Sequence, residues 1–257
     1  MEKYSLLARN SLYYLISLAV LLWPAIYNGY PIVYPDTGAY IASGFYGTVP
    51  VDRPIIYGLL VRHVSMLYSL WFVVVLQGII AVFLIAETLK VLKVRFDVLW
   101  VLAISVFISL CTTCGYYIGQ VMPDIFTSYM WWSLGLILLK DGKRSVSYIL
   151  LYIVMVVSST THLSNFSGLL LFSGVLLPIA FVFRKRNIIK KLLLLPAISV
   201  LVMLSTNFII EENFFLSKAP NVFFSAKLNS TGVLKDFLQK NCATAKYLLC
   251  DYQEILP

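Results

Sequence analysis

Apolar runs recur along this chain at lengths close to the ~20 residues with which a helix crosses a ~30 Å hydrocarbon core. They cover residues 11–27, 65–86, 98–114, 125–139, 145–159, 166–183 and 192–210. Their apolar side chains follow one another without the alternation of a barrel strand, so helices are expected. At ~1.5 Å rise per residue the fourth and fifth runs are short. Each is expected to borrow a turn from its flanks or to thin the bilayer locally. Composition agrees, with 60% hydrophobic and 12% charged residues against the ~25% charged residues of globular proteins. The expected fold class is all-α: a polytopic membrane protein of about seven transmembrane helices over residues 1–210, with an extracytoplasmic tail over 211–257.

The net charge of +8 invites a nucleic-acid reading, but the placement of the basic residues argues against it. They sit in short connections between apolar runs, where they orient a membrane protein. Lys3 and Arg9 precede the first run; Lys90, Lys93 and Arg95 follow the second; Lys140, Lys143 and Arg144 follow the fourth. Arg184, Lys185, Arg186, Lys190 and Lys191 separate the last two. The other connections are nearly free of basic residues, apart from Arg53 and Arg62. This pattern predicts a cytoplasmic N-terminus and an outside C-terminus. No small-residue cleavage pattern follows the first run, so a retained helix is expected there and not a signal peptide. The end at Pro257, outside and without a further anchor, fits either a complete protein or the front part of a longer one.

The polar residues near membrane boundaries then fall on the outer face: Asp36, Asp52, Arg53, Asp124, His162 and Asn165. Ionisable groups at membrane depth are costly, which makes each a functional candidate. Three of them, Asp36, Asp52 and Arg53, lie in the outer loop 28–63. There Asp36 is expected to open a short helix over 37–43 that Gly44 ends, and Pro54 to begin a second over 54–62. Each residue also has a structural reading. Asp36 and Asp124 can cap helix N-termini, Arg53 can snorkel to headgroups, and His162 with Asn165 can tie helices together. Tyr27, Tyr30, Tyr34, Trp71, Tyr116, Tyr117, Trp131 and Trp132 fit an interfacial aromatic belt. The chemical readings are a carboxylate base for a substrate hydroxyl and a guanidinium fork for a phosphate.

Cys242 and Cys250 share the tail on the oxidising side and are expected to be able to pair, with Cys111 and Cys114 as competitors. The tail segment 231–240 is expected to be helical. The four cysteines and His162 lack the spacing of a tetrahedral zinc site. Two glycosylation acceptor patterns, at Asn165 and Asn229, are read as chance matches.

The segment Tyr34-Pro35-Asp36-Thr37-Gly38-Ala39-Tyr40 resembles the first outer loop of GT-C membrane glycosyltransferases. This superfamily includes protein O-mannosyltransferases and lipid A aminoarabinose transferases. Their pattern places an Asp just after the first helix, in a short helix along the membrane, often followed by a Tyr; Asp36 and Tyr40 match it. Arg53-Pro54-Ile55-Ile56-Tyr57-Gly58 is similar to their basic-Pro segment before the second helix, and Asp124 stands where they carry an acidic residue in the second outer loop. The likeness covers residues 11–127 best. Thr37 follows Asp36 where many members have a second acidic residue, and members usually have more helices and a larger outer domain.

The resemblance implies a polyprenyl-phosphate-linked sugar as donor, a hydroxyl acceptor, and a bacterial inner-membrane setting in the cell envelope. It assigns Asp36 as general base, with Tyr40, Arg53 and Asp124 around the substrate; His162 and Asn165 join them from the reading of the residues, as ligands for phosphate or metal. It implies no certain cofactor; a divalent metal held by Asp124 and His162 is an option that it leaves open. Two other classes stay open as well. One is a non-enzymatic transporter, flippase or assembly subunit, which should show repeats and midplane polar groups. The other is a membrane acyltransferase or polymer ligase.

Overall fold

The computed structural model describes residues 2–94, 98–140, 145–218, 220–245 and 247–252. Arg95, Lys143, Arg144 and Lys246 lie outside the described residues. Among the described residues the chain is helical and has no strand; Ile32 and Gln120 form an isolated parallel bridge. It divides into two units, residues 1–216 and 217–257.

In the first unit α1 (Glu2–Leu21) breaks before α2 (Trp23–Asn28), where Pro24 stands in the first turn and Gly29 closes the helix at φ 73°. The expected single run over 11–27 is therefore two helices. The 28–63 loop carries α3 (Thr37–Tyr46) and α4 (Ile56–Val64), followed by α5 (Trp71–Val91). Two short helices were expected in this loop, but their ends differ. Gly47, at φ 64°, terminates α3, and Gly44 stays inside it. Pro54 lies ahead of the first turn of α4 instead of opening it. Gly44 has another use: a Cβ there would stand 2.0 Å from the Gly58 carbonyl oxygen, so α3 and α4 meet backbone to backbone. α5 starts later than the apolar run, because Met66 and Leu67 turn the chain with φ of 51° and 58°.

α6 (Val98–Cys111) and α7 (Cys114–Ile118) divide the next run. The Thr112 hydroxyl donates to the Ile108 carbonyl and accepts the Cys114 N–H, taking backbone groups out of the helical ladder. α8 (Asp124–Leu139), α9 (Val146–Thr160), α10 (Leu163–Val182) and α11 (Arg186–Glu211) complete the unit.

Three helices, α5, α10 and α11, are long and apolar enough to cross a membrane. α6, α8 and α9 are apolar but shorter; the 15 residues of α9 reach only ~22 Å. These helices mark a membrane protein. Leu84, Ile85, Phe126, Met130, Leu134 and Ile137 form the centre of its core, where α5 packs on α8.

One end of this core is tied by charge. Glu87, 1% exposed, pairs with Lys140 at 2.7 Å and Lys90 at 2.8 Å. Lys191, itself buried, donates to the Ile137 and Lys140 carbonyls at the C-terminus of α8. These lysines hold α5, α8 and α11 together in addition to lying near helix ends.

In the second unit α12 (Pro220–Ser230) and α13 (Val233–Asn241) precede a short 3-10 turn (Leu248–Tyr252). α13 takes the place of the expected helix over 231–240. Cys242 and Cys250 are bonded as a disulfide, with Cα atoms 5.8 Å apart, whereas Cys111 and Cys114 are free thiols.

Candidate functional site

The 28–63 loop and the 115–124 connection, called the hinge below, are joined by backbone. The Ile32 N–H donates to the Gly119 carbonyl and the Val121 N–H to the Ile32 carbonyl, both at 2.9 Å. Thr37 adds a side-chain tie. Its hydroxyl accepts the Tyr34 N–H at 2.8 Å and donates to the Val121 carbonyl at 3.1 Å. From below, Gln77 of α5, fully buried, donates its amide to the Ile118 and Gln120 carbonyls. Its side-chain oxygen accepts from Tyr57, and its carbonyl accepts from Tyr129. A glutamine without exposed surface has to satisfy these groups inside the protein, because leaving them unpaired costs ~1–3 kcal/mol each. Gln77 therefore fixes the hinge on α5.

A cavity of about 490 Å³ opens above this joint. Asp36, Tyr40, Asp124 and His162 all line it, together with Tyr34, Tyr116 and Tyr117. Thr113, Gln120 and Met122 complete the wall. A second cavity of about 360 Å³, with Thr112, Thr113, Cys114, Tyr117, Asp124 and Ser128 on its walls, shares Asp124 with the first. Four of the candidates read from sequence thus converge although they come from three separate stretches.

The capping reading of the two aspartates fails. Asp36 occupies the N-cap of α3 and Asp124 the first residue of α8, yet neither helix start has a side-chain capping hydrogen bond. The Ala39 and Tyr40 N–H groups go to the Asp36 backbone carbonyl, at 3.0 and 3.2 Å, and not to its carboxylate. His162 is the residue that caps: its Nδ1 accepts from the Ser164 N–H and lies 2.8 Å from the Ser164 hydroxyl. An Nδ1 that accepts leaves the proton of the neutral ring on Nε2, where it remains a donor for the cavity.

Arg53 stands behind the wall and not in it. Its Nε and Nη2 donate to Asp52 at 3.0 and 2.6 Å, and Nη1 lies 3.4 Å from the Asp36 carboxylate. That last contact is an ion pair without hydrogen-bond geometry, so Nη1 is buried with no hydrogen-bond partner. The guanidinium also lies over the Tyr40 ring, 5.0 Å from its centroid. Two carboxylates thus offset its charge, and the bond to Asp52 raises its affinity for the proton further. Asp52 responds in the opposite direction: the Arg53 hydrogen bond is the chief cause holding it below its ordinary value, and His162 acts in the same sense. Burial pushes the Tyr40 phenol up to about 12 against the pull of Arg53, so its hydroxyl stays protonated and can donate.

Asn165 departs from its expected place. It is 2% exposed, its amide donates to the Ser158 carbonyl and its oxygen accepts from Thr127. It ties α8, α9 and α10 and is absent from the cavity wall. Asp124 and His162 share that wall, but among the described residues no group of three His, Cys, Asp or Glu side chains forms a metal-ligand set.

Sequence reasoning missed Gln77, a single polar residue in an apolar run. It also assigned Tyr34, Tyr116 and Tyr117 to a lipid-facing belt, although they wall the cavity. The cue was their proximity in sequence to Asp36 and Asp124. No family model, curated protein or solved structure matches the chain.

Proposed function

We propose that this protein is a membrane glycosyltransferase that moves a sugar from a polyprenyl-phosphate donor to an acceptor hydroxyl, within the Asp36 cavity on the extracytoplasmic face. In this reading seven helices cross the membrane, three of them short (α6, α8 and α9), with the N-terminus cytoplasmic. The observation that carries the proposal is the convergence of Asp36, Asp124 and His162 on one aromatic-walled cavity, with neither carboxylate spent on capping.

The chemistry needs a proton acceptor, a counter-charge for the departing phosphate and a surface for the sugar. Asp36 takes the acceptor's proton as the hydroxyl oxygen bonds to the anomeric carbon. The bond from that carbon to the phosphate oxygen breaks, and its electron pair leaves on the lipid phosphate. A base must reach its proton within hydrogen-bond distance, and the Asp36 side chain, 52% exposed, is open to the cavity. Arg53, 17% exposed and already paired, orients Asp36 and does not clasp the phosphate directly. His162, with Nε2–H as its remaining donor, meets the developing phosphate charge, the kind of preorganised donor that lowers such barriers. Tyr34, Tyr116 and Tyr117 offer ring faces to the sugar. The lipid tail stays in the bilayer while the head group enters from its edge.

Occupancy and sidedness can be tested together. Cys111 and Cys114 are replaced by Ser and Tyr117 by Cys, and the protein is labelled with a membrane-impermeant maleimide in intact cells. Labelling from outside is expected, and in proteoliposomes a polyprenyl-phosphate-linked sugar should slow it. Labelling from the cytoplasmic side alone, or a rate indifferent to every donor offered, would contradict the proposal.

A further inference from the structure

The α10–α11 turn, remote in sequence from the Asp36 cavity, brings a basic cluster against an apolar cavity. That cavity, about 210 Å³, lies between α8, α10 and the start of α11. Leu138, Leu176, Ile179, Phe183 and Ile188 form its walls, with Ala180 among them, and Lys185 is its one charged lining residue. Arg184, Lys185 and Arg186 are consecutive, Lys190 follows, and the sequence has no acidic residue between 142 and 210. None of these four cations forms an ion pair among the described residues. Their neighbour Lys191 points inward to the α8 carbonyls and so is not part of this free charge.

We propose that this turn binds one anionic phospholipid, its acyl chain in the cavity between α8, α10 and α11 and its phosphate on Lys185 with Arg184 and Arg186 beside it. Two observations together select that occupant. The cavity walls give water and polar ligands nothing to bond, whereas an acyl chain gains by leaving no void. The rim carries positive charge that no ion pair offsets among the described residues, at the end of two helices long and apolar enough to cross a membrane, where lipid phosphates lie. A zwitterionic lipid satisfies the cavity but brings no net charge to the rim; an anionic lipid satisfies both. Basic residues next to a membrane helix attract anionic lipid in this way. The inference rests on the membrane placement of α10 and α11 and is independent of sugar transfer.

Native mass spectrometry of delipidated full-length protein, titrated with phosphatidylglycerol or phosphatidylcholine, tests it. One phosphatidylglycerol should bind in preference to phosphatidylcholine, and exposed Lys185→Gln should weaken it about fivefold, the effect of one basic residue near an anionic surface. Ala180→Leu, which fills the cavity, should weaken phosphatidylglycerol while the protein stays folded by circular dichroism. Equal binding of the two lipids, an unchanged Lys185→Gln protein, or competition by glycerol 3-phosphate at the concentration of the lipid would overturn the assignment.

Discussion

Single residues decide whether the Asp36 loop is a scaffold or a site. The Asp36 backbone carbonyl takes the Ala39 and Tyr40 N–H groups, the carboxylate is left to face the cavity, and Arg53 lies behind it at 3.4 Å. The Asp52–Arg53 pair makes the arrangement sensitive to acid. Asp52 is held below its ordinary value of 3.8, chiefly by Arg53. A lowered folded-state value means that stabilisation is complete above the ordinary value and fades as pH falls through the lowered one. Hydrogen exchange over residues 48–54 should therefore stay slow from pH 7 to about pH 5 after correction for intrinsic rates. It should quicken in stronger acid, and Asp52→Asn should abolish the contrast by quickening exchange at every pH. Equal protection of the two proteins across the range would contradict this role. Asp36, Asp124 and His162 were legible in the sequence because ionisable groups stand out in an apolar chain. Their function as caps or site groups was not legible, since capping depends on which neighbour reaches the free N–H groups first. Gln77 was hidden because one amide in a long apolar run signals nothing until its partners across the fold are known.

At the scale of elements, the site depends on how closely α3 and α4 approach. A Cβ on Gly44 would meet the Gly58 carbonyl, and one on Gly58 would stand 2.6 Å from the Tyr40 carbonyl oxygen. Gly38 lies in the same helix with nothing within 4 Å of a built Cβ. Gly44→Ala should force the pair apart and cost roughly 1–3 kcal/mol, as overpacking does. Gly38→Ala should be neutral or gain up to ~0.5–1 kcal/mol from helix propensity. Thermal unfolding in one detergent gives the comparison; equal melting temperatures for the two variants would contradict the close-contact account. The apolar runs correctly marked where helices lie, but not where they end. Thr112, Met66 and Leu67 break runs that hydrophobicity alone leaves continuous. Gly44 illustrates the same limit: a glycine stops one helix and lets another backbone approach with the same absence of a side chain.

The whole molecule places two polar assemblies along α5. Gln77 holds the hinge beneath the Asp36 cavity, and Glu87, ten residues further on, gathers Lys90 and Lys140. Ten residues of helix span ~15 Å, so these assemblies lie at different depths of the bundle. The basic connections that orient the chain in the sequence reading include Lys140 and Lys191, which are also internal ties; composition alone reports charge and not its partner. In the proposed orientation the Glu87 end faces the cytoplasm and the Asp36 cavity faces outside. The central claim is that this outer cavity performs sugar transfer with Asp36 as base. Asp36→Asn retains the side chain's shape, and with no capping hydrogen bond at stake it should unfold close to the wild-type temperature. The deciding measurement is transfer of a labelled sugar from polyprenyl phosphate by the purified protein in liposomes, made on wild type and Asp36→Asn side by side. The account predicts transfer by wild type and a fall of about 10²–10⁴-fold in the variant, the range for loss of a general base. A stable Asp36→Asn protein that transfers sugar at the wild-type rate would contradict it.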